Sequence, residues 1–176
     1  MKSFFKTWLW VNFRYRYLDR NMNRLIEHYR RAGVSIGDNC NIYSNILTPE
    51  SYLITIGNNV TIATGVHFLT HDNSICKVEP ELTDFFGKVK IGDNCFIGAY
   101  SIILPGVTIG DNPIVAAGSI VTKSVQPNSI VAGNPARKIS TTEDLAVKAK
   151  MYGFNVSGLS FNEKKEFLLK NKLLSR

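Results

Sequence analysis

Histidine is the side chain whose ordinary pKa lets it take and return a proton near neutral pH, and this sequence holds three: His28, His67 and His71. His71 stands in the run FLTHDNS and is followed directly by Asp72. His67 precedes an apolar residue, Phe68, and His28 falls in a segment rich in Arg and apolar residues near the N-terminus. A zinc site built on three imidazoles needs a third histidine near the pair four residues apart, and His28 is poorly placed to supply it, so no metal requirement is expected. The cysteines, Cys40, Cys76 and Cys95, form no C-x-x-C pair, which points to neither a disulfide framework nor a zinc knuckle. A net charge of +7 with a pI of about 9.4 favours a polyanionic partner: nucleic acid, an anionic membrane surface or a phosphorylated cofactor.

The elements that must hold these groups show themselves as a repeat. Aliphatic or aromatic residues recur every six positions at Ile36 and Ile42, at Ile56, Ile62 and Phe68, and in an unbroken ladder Ile91, Ile97, Ile103, Ile109, Val115, Val121. Four residues on come smaller ones, Cys40, Val60, Val66, Cys95, Ser101, Val107, Pro113, Ser119 and Val125. A helix places its apolar stripe near every 3.6 residues and a half-buried strand alternates, so a sustained beat of six fits neither. It fits a coil of very short strands, with the large side chain inward once per strand and the small one at the corner. The pairs Asp38-Asn39, Asn58-Asn59, Asp93-Asn94 and Asp111-Asn112 supply residues that tolerate the positive φ of tight corners. Stacking such coils buries a continuous column and pairs each coil with the next.

The beat breaks twice. Ile42 and Ile56 are 14 residues apart where two repeats need 12, and Phe68 and Ile91 are 23 apart. Residues 72–88, with Lys77, Glu79, Pro80, Glu81, Asp84, Phe85, Phe86 and Gly87, cannot supply an inward aliphatic set and must leave the coil as a loop. His71 falls where the coil ends and this loop begins, so its base is held by the scaffold and its tip is open. His67 turns outward by alternation with Phe68. Cys40 and Cys95 occupy buried corners, which leaves Cys76 as the one cysteine placed for nucleophilic chemistry, without a recognisable base beside it.

The flanks differ in kind. Residues 1–33 read as a helical cap on the open end of the solenoid, or, as a second reading, as a membrane-surface segment of aromatic and basic residues. Their apolar patch is too short and too soon interrupted by Arg14, Arg16 and Arg20 to span a bilayer, and no cleavage pattern follows. Residues 140–176 form an extension in which Ser160-x-x-Glu163 marks a capping box ahead of a short helix.

The six-residue pattern resembles the hexapeptide-repeat acyltransferases, in particular those similar to maltose and galactoside acetyltransferases and those that acetylate bacterial polysaccharides. That resemblance implies a mainly β chain: a left-handed parallel β-helix over residues 34–139, three hexapeptides to a turn. It implies transfer of acetyl from acetyl-CoA to a sugar hydroxyl, with His71 as general base and Asp72 beside it. Counting nine residues from Ile36 gives Asn45 the position of an asparagine near the acceptor hydroxyl; a plain corner residue is the other reading. The segment IGDNPIVAAGSIVTKSVQPNSIVAGNPARKI resembles the family's acetyl-CoA-binding end. The resemblance assigns to the cofactor Ala117, Gly118, Thr122, Lys123, Pro135, Arg137 and Lys138 of this segment together with Ala99 ahead of it, the small residues along the pantetheine arm and the cations on its phosphates. The same resemblance implies a homotrimer; the odd, unpaired cysteine count points to a reducing cytoplasm, and the basic residues carry no nucleic-acid recognition motif, so no nucleic acid is expected as partner. An amino-sugar N-acetyltransferase and a non-catalytic scaffold on the same fold stay open as alternatives, and the acceptor is expected in a capsule, O-antigen or exopolysaccharide.

Overall fold

The computed structural model describes residues 21–171 and residue 173. Its centre is a three-sided parallel coil. The first face stacks β1 (Ser35–Ile36), β3 (Ile54–Ile56), β8 (Val89–Ile91) and β11 (Thr108–Ile109). The second stacks β2 (Asn41–Ile42), β4 (Thr61–Ile62), β9 (Phe96–Ile97), β12 (Ile114–Val115) and β14 (Ser129–Gly133), and ends in the antiparallel β15 (Ala136–Thr141). The third holds β5 (His67–Phe68), β10 (Ile102–Ile103) and β13 (Ile120–Val121).

The six-residue beat is the reason for this shape. All eleven residues of the ladder from Ile36 to Val121 are buried, and so are the nine smaller residues that follow them by four. Registers run in step, for example Phe68 with Ile103 with Val121, so each inward side chain sits on its equivalent one coil away. At the corner between first and second faces, Asn39, Asn59, Asn94 and Asn112 have φ of 56°, 54°, 55° and 64°. Their side chains bond up the stack, Asn59 to Asn94 at 2.6 Å, Asn94 to Asn112 at 3.2 Å and Asn112 to Asn128 at 2.8 Å. A residue with a short polar side chain thus meets both the backbone and the pairing requirement of that corner.

The open end is covered by α1 (Met22–Arg31), which buries Leu25, Ile26 and Tyr29. Arg30 donates to the carbonyls of Ile36 and Gly37, and the Tyr29 hydroxyl donates to the Ser44 carbonyl, so edge acceptors of the first coil are satisfied by the cap. The expected cap and membrane-surface reading at residues 1–20 lie outside the described residues. Past the coil come α2 (Thr142–Tyr152) and α3 (Phe161–Lys170), each closed at its N-terminus by a reciprocal capping box, from Thr141 with Asp144 and from Ser160 with Glu163. Neither helix buries a described residue. No described helix is long and apolar enough to cross a membrane.

The excursion at 72–88 leaves the coil and returns. β6 (His71–Asp72) pairs antiparallel with β7 (Phe85–Phe86), His71 opposite Phe86 and Asp72 opposite Phe85, with a 3₁₀ turn at Asn73–Lys77 between them.

Candidate active site

His71 leaves the third face at the corner where the chain turns toward the first. One coil below, at the same corner, the two extra residues of the 42–56 interval are absorbed in a turn that Ser51 ties to Thr48, its hydroxyl donating to the Thr48 carbonyl at 2.7 Å. That turn presents Glu50. One carboxylate oxygen of Glu50 accepts the Thr70 hydroxyl at 2.7 Å and lies 2.8 Å from Nδ1 of His71. A carboxylate offers only acceptors, so the proton of the neutral imidazole resides on Nδ1 and the lone pair on Nε2. The Glu50 side chain is 15% exposed and that of His71 37%, so the carboxylate is largely covered and the imidazole partly open.

Charge follows geometry. The Thr70 hydroxyl, and then the His71 ring, hold the Glu50 carboxyl below the usual carboxylate range. The Glu50 hydrogen bond raises the pKa of His71 above its ordinary value of 6.5, against partial burial, which works the other way. Phe86 flanks the imidazole, ring centroids 6.1 Å apart and planes at 51°.

Asp72 does not hold the histidine. Adjacent strand residues point to opposite sides, and its carboxylate caps the following turn by accepting the Ser74 N–H at 2.8 Å, a bond that also lowers its pKa. The expected place of Asp72 beside the imidazole is therefore taken by Glu50, which the sequence reading passed over. Asn45 is exposed, its side-chain oxygen accepts the Leu47 N–H at 3.1 Å, and among the described residues it makes no hydrogen bond to His71. His67 faces solvent, as alternation requires. His28 lies against Tyr29, ring centroids 5.8 Å apart, in the capping helix. Burial raises the thiol pKa of Cys40 and pushes that of Cys95 up to about 12, which keeps both protonated.

The residues assigned to a cofactor divide by position. Ala99, Ala117 and Gly118 sit at the corner entering the third face, and Thr122 and Lys123 at the corner leaving it, two coils on from His71, or about 10 Å at ordinary strand spacing. Gly118 has φ +72° and its N–H donates to the Ala99 carbonyl at 2.8 Å. A Cβ placed on Gly118 would meet nothing within 4 Å, so the surface beside it is open to a chain-like ligand. Pro135 is exposed in the turn between β14 and β15. Lys123, Arg137 and Lys138 line one cavity of about 300 Å³ with Gln126, Ser129 and Ala136, and none of the three cations pairs with a carboxylate among the described residues. This is a cationic recess suited to phosphates. A larger cavity of about 670 Å³, between the second face and α2, is lined mainly by Ile114, Ile130, Ile139, Leu145 and Tyr152, with no histidine or carboxylate in its lining. Among the described residues no group of three His, Cys, Asp or Glu side chains converges as metal ligands would.

Comparison with known proteins adds an independent line. Residues 88–123 match the family model described as the hexapeptide repeat of succinyl-transferase. The chain is 44% identical over 158 residues to protein CapG of Staphylococcus aureus, covering 86% of this chain and 90% of that one. It is 39% identical over 119 residues to the galactoside O-acetyltransferase of Escherichia coli strain K12, covering 64% of this chain and 56% of the relative. A hexapeptide-repeat acetyltransferase of Vibrio cholerae O1 biovar eltor, solved with acetyl coenzyme A, superposes with a TM-score of 0.55 at 32% identity over 62% of this chain and 60% of that one. The match to CapG is thus nearly end to end, whereas the chain spans only somewhat more than half the length of the other two.

Proposed function

The chain belongs to the hexapeptide-repeat acetyltransferase family, with its left-handed β-helix, and from that premise we propose that it moves the acetyl group of acetyl-CoA to a sugar hydroxyl of a surface polysaccharide, with His71 as general base. The observation that carries the reading is the Glu50–His71 contact at 2.8 Å, which fixes the ring and leaves Nε2 with no hydrogen-bond partner among the described residues, on a side chain 37% exposed. Acetyl-CoA supplies the activated acyl group as a thioester. Nε2 of His71 accepts the hydroxyl proton as that oxygen bonds to the acyl carbon, and the imidazolium returns the proton to the sulfur as the carbon–sulfur bond breaks. Glu50 stabilises the imidazolium between these two transfers and keeps the ring from turning. Lys123, Arg137 and Lys138 take the phosphates, and the open surface at Ala99, Ala117 and Gly118 takes the pantetheine arm.

The acceptor named for the galactoside enzyme supports a sugar hydroxyl, and the open corner at His71 suits one borne on a long chain. The family resemblance implies a homotrimer, with one cleft between each pair of prisms where cofactor and acceptor meet. A monomer fully active at high dilution contradicts that assembly. Dependence on acetyl-CoA supports a cytoplasmic setting.

Thiol release from acetyl-CoA, measured against a panel of sugars and polysaccharides, tests the reaction. General-base assistance contributes about 10²–10⁴-fold, so folded His71→Ala loses that much turnover. Wild-type rates in that variant remove His71 from the chemistry, and release with amino sugars alone reassigns the acceptor atom to nitrogen.

A further inference from the structure

The loop that interrupts the coil is anchored at its return. Phe86 sits opposite His71 in the two-stranded ladder, and residues so paired project from the same side of it. The next residue, Gly87, donates its N–H to the Thr70 carbonyl at 2.9 Å. Gly87 also packs so closely on the following coil that a Cβ there would lie 2.2 Å from the Gly106 nitrogen. Phe86 is therefore held by strand pairing on one side and by a contact that only glycine permits on the other. Yet the residue remains 60% exposed while its ring flanks the imidazole. A large aromatic fixed in place with an open face gains free energy only when something apolar covers it.

What covers it is set by the chemistry next door. Nδ1 is engaged by Glu50, so the reacting hydroxyl must approach Nε2 within hydrogen-bond reach, about 3 Å. The body of the acceptor then extends over the ground beside the imidazole, which is where the Phe86 ring lies. We propose that Phe86 is the acceptor platform of this site: its open face covers the C–H face of a pyranose ring whose hydroxyl is presented to His71. The inference rests on the reading of His71 as the base of a sugar acetyltransferase and narrows it to cyclic acceptors. An acyclic polyol with the same hydroxyls lacks the rigid apolar face that the ring offers. Phe85, opposite Asp72, projects to the other side of the ladder and has no such role.

The test compares a methyl pyranoside with the matching acyclic polyol as acceptors, in the wild type and in Phe86→Ala, Phe86→Tyr and Phe86→Trp. Aromatic contacts of this kind correspond to about two- to tenfold in affinity. Phe86→Ala is expected to raise the pyranoside KM by that factor, with the polyol KM, the acetyl-CoA KM and the pH–rate profile unmoved; Tyr and Trp restore it. An unchanged pyranoside KM overturns the proposal, as does an equal rise for both acceptors. A displaced pH profile assigns Phe86 to packing on the imidazole, and a reduced assembly mass assigns it to subunit contact; either overturns the proposal too. Failure of the parent reading is separate: a wild type that acetylates no sugar sinks both, whereas an active wild type with an indifferent Phe86→Ala sinks this inference alone.

Discussion

Two stretches of this coil obey opposite rules. From Ile91 to Val121 each inward residue meets its equivalent one coil away and the repeat never slips. At the corner between the third and first faces, residues 48–53 and 69–88 depart from the repeat in consecutive coils, and there Glu50, Thr70, His71 and Phe86 converge. The regular stretch spends its side chains on itself, large ones inward and asparagines on each other. The irregular corner has side chains left over, and the rigid stack beneath fixes where they point. On the proposed reading, stability and chemistry are separated along one chain by whether the beat is kept.

That separation can be broken from either side. Ile97 is fully buried, and Ile97→Ala should cost about 2–5 kcal/mol of stability through lost contact and the cavity left behind. Chemical denaturation reads this, and His71→Ala should unfold at the wild-type midpoint; equal losses in both variants would erase the distinction. Lys123→Ala should raise the acetyl-CoA KM by about tenfold at low salt, with the difference shrinking as salt rises. A KM insensitive to this change would detach the cationic recess from the cofactor. Asp72→Asn is expected to leave kcat within about twofold, since it alters an exposed turn cap and leaves the imidazole's partner in place. A loss comparable to that of His71→Ala would return Asp72 to the chemistry.

The coil was legible because an inward column on a strict period marks the sequence at every turn, and Asn39, Asn59, Asn94 and Asn112 announced their corners by residue type. Ser160 with Glu163 announced α3, and Thr141-x-x-Asp144 carried the same signal for α2 unnoticed. Glu50 was hidden for a different reason. Its contact with His71 spans 21 residues and exists only because two coils stack, so no local pattern joins the two. The clue was the 14-residue interval, which contains a single carboxylate between Ile42 and Ile56. Asp72 drew attention by adjacency, although neighbours along a strand face apart. The return of Phe86 to His71 was equally out of reach, because antiparallel register across a loop depends on where Gly87 can pass its neighbouring coil.

The proposed general base is a ring held by Glu50, and the pH dependence of kcat/KM in the wild type and in Glu50→Gln tests that role most directly. His71 must be neutral to accept a proton, and Glu50 raises its pKa, so activity falls on the acid side through a pKa above 6.5 in the wild type. Removing the carboxylate's charge should move that limb to lower pH and lower the plateau, because the amide no longer fixes the tautomer or supports the imidazolium. Superimposable profiles with equal plateaus would contradict the claim.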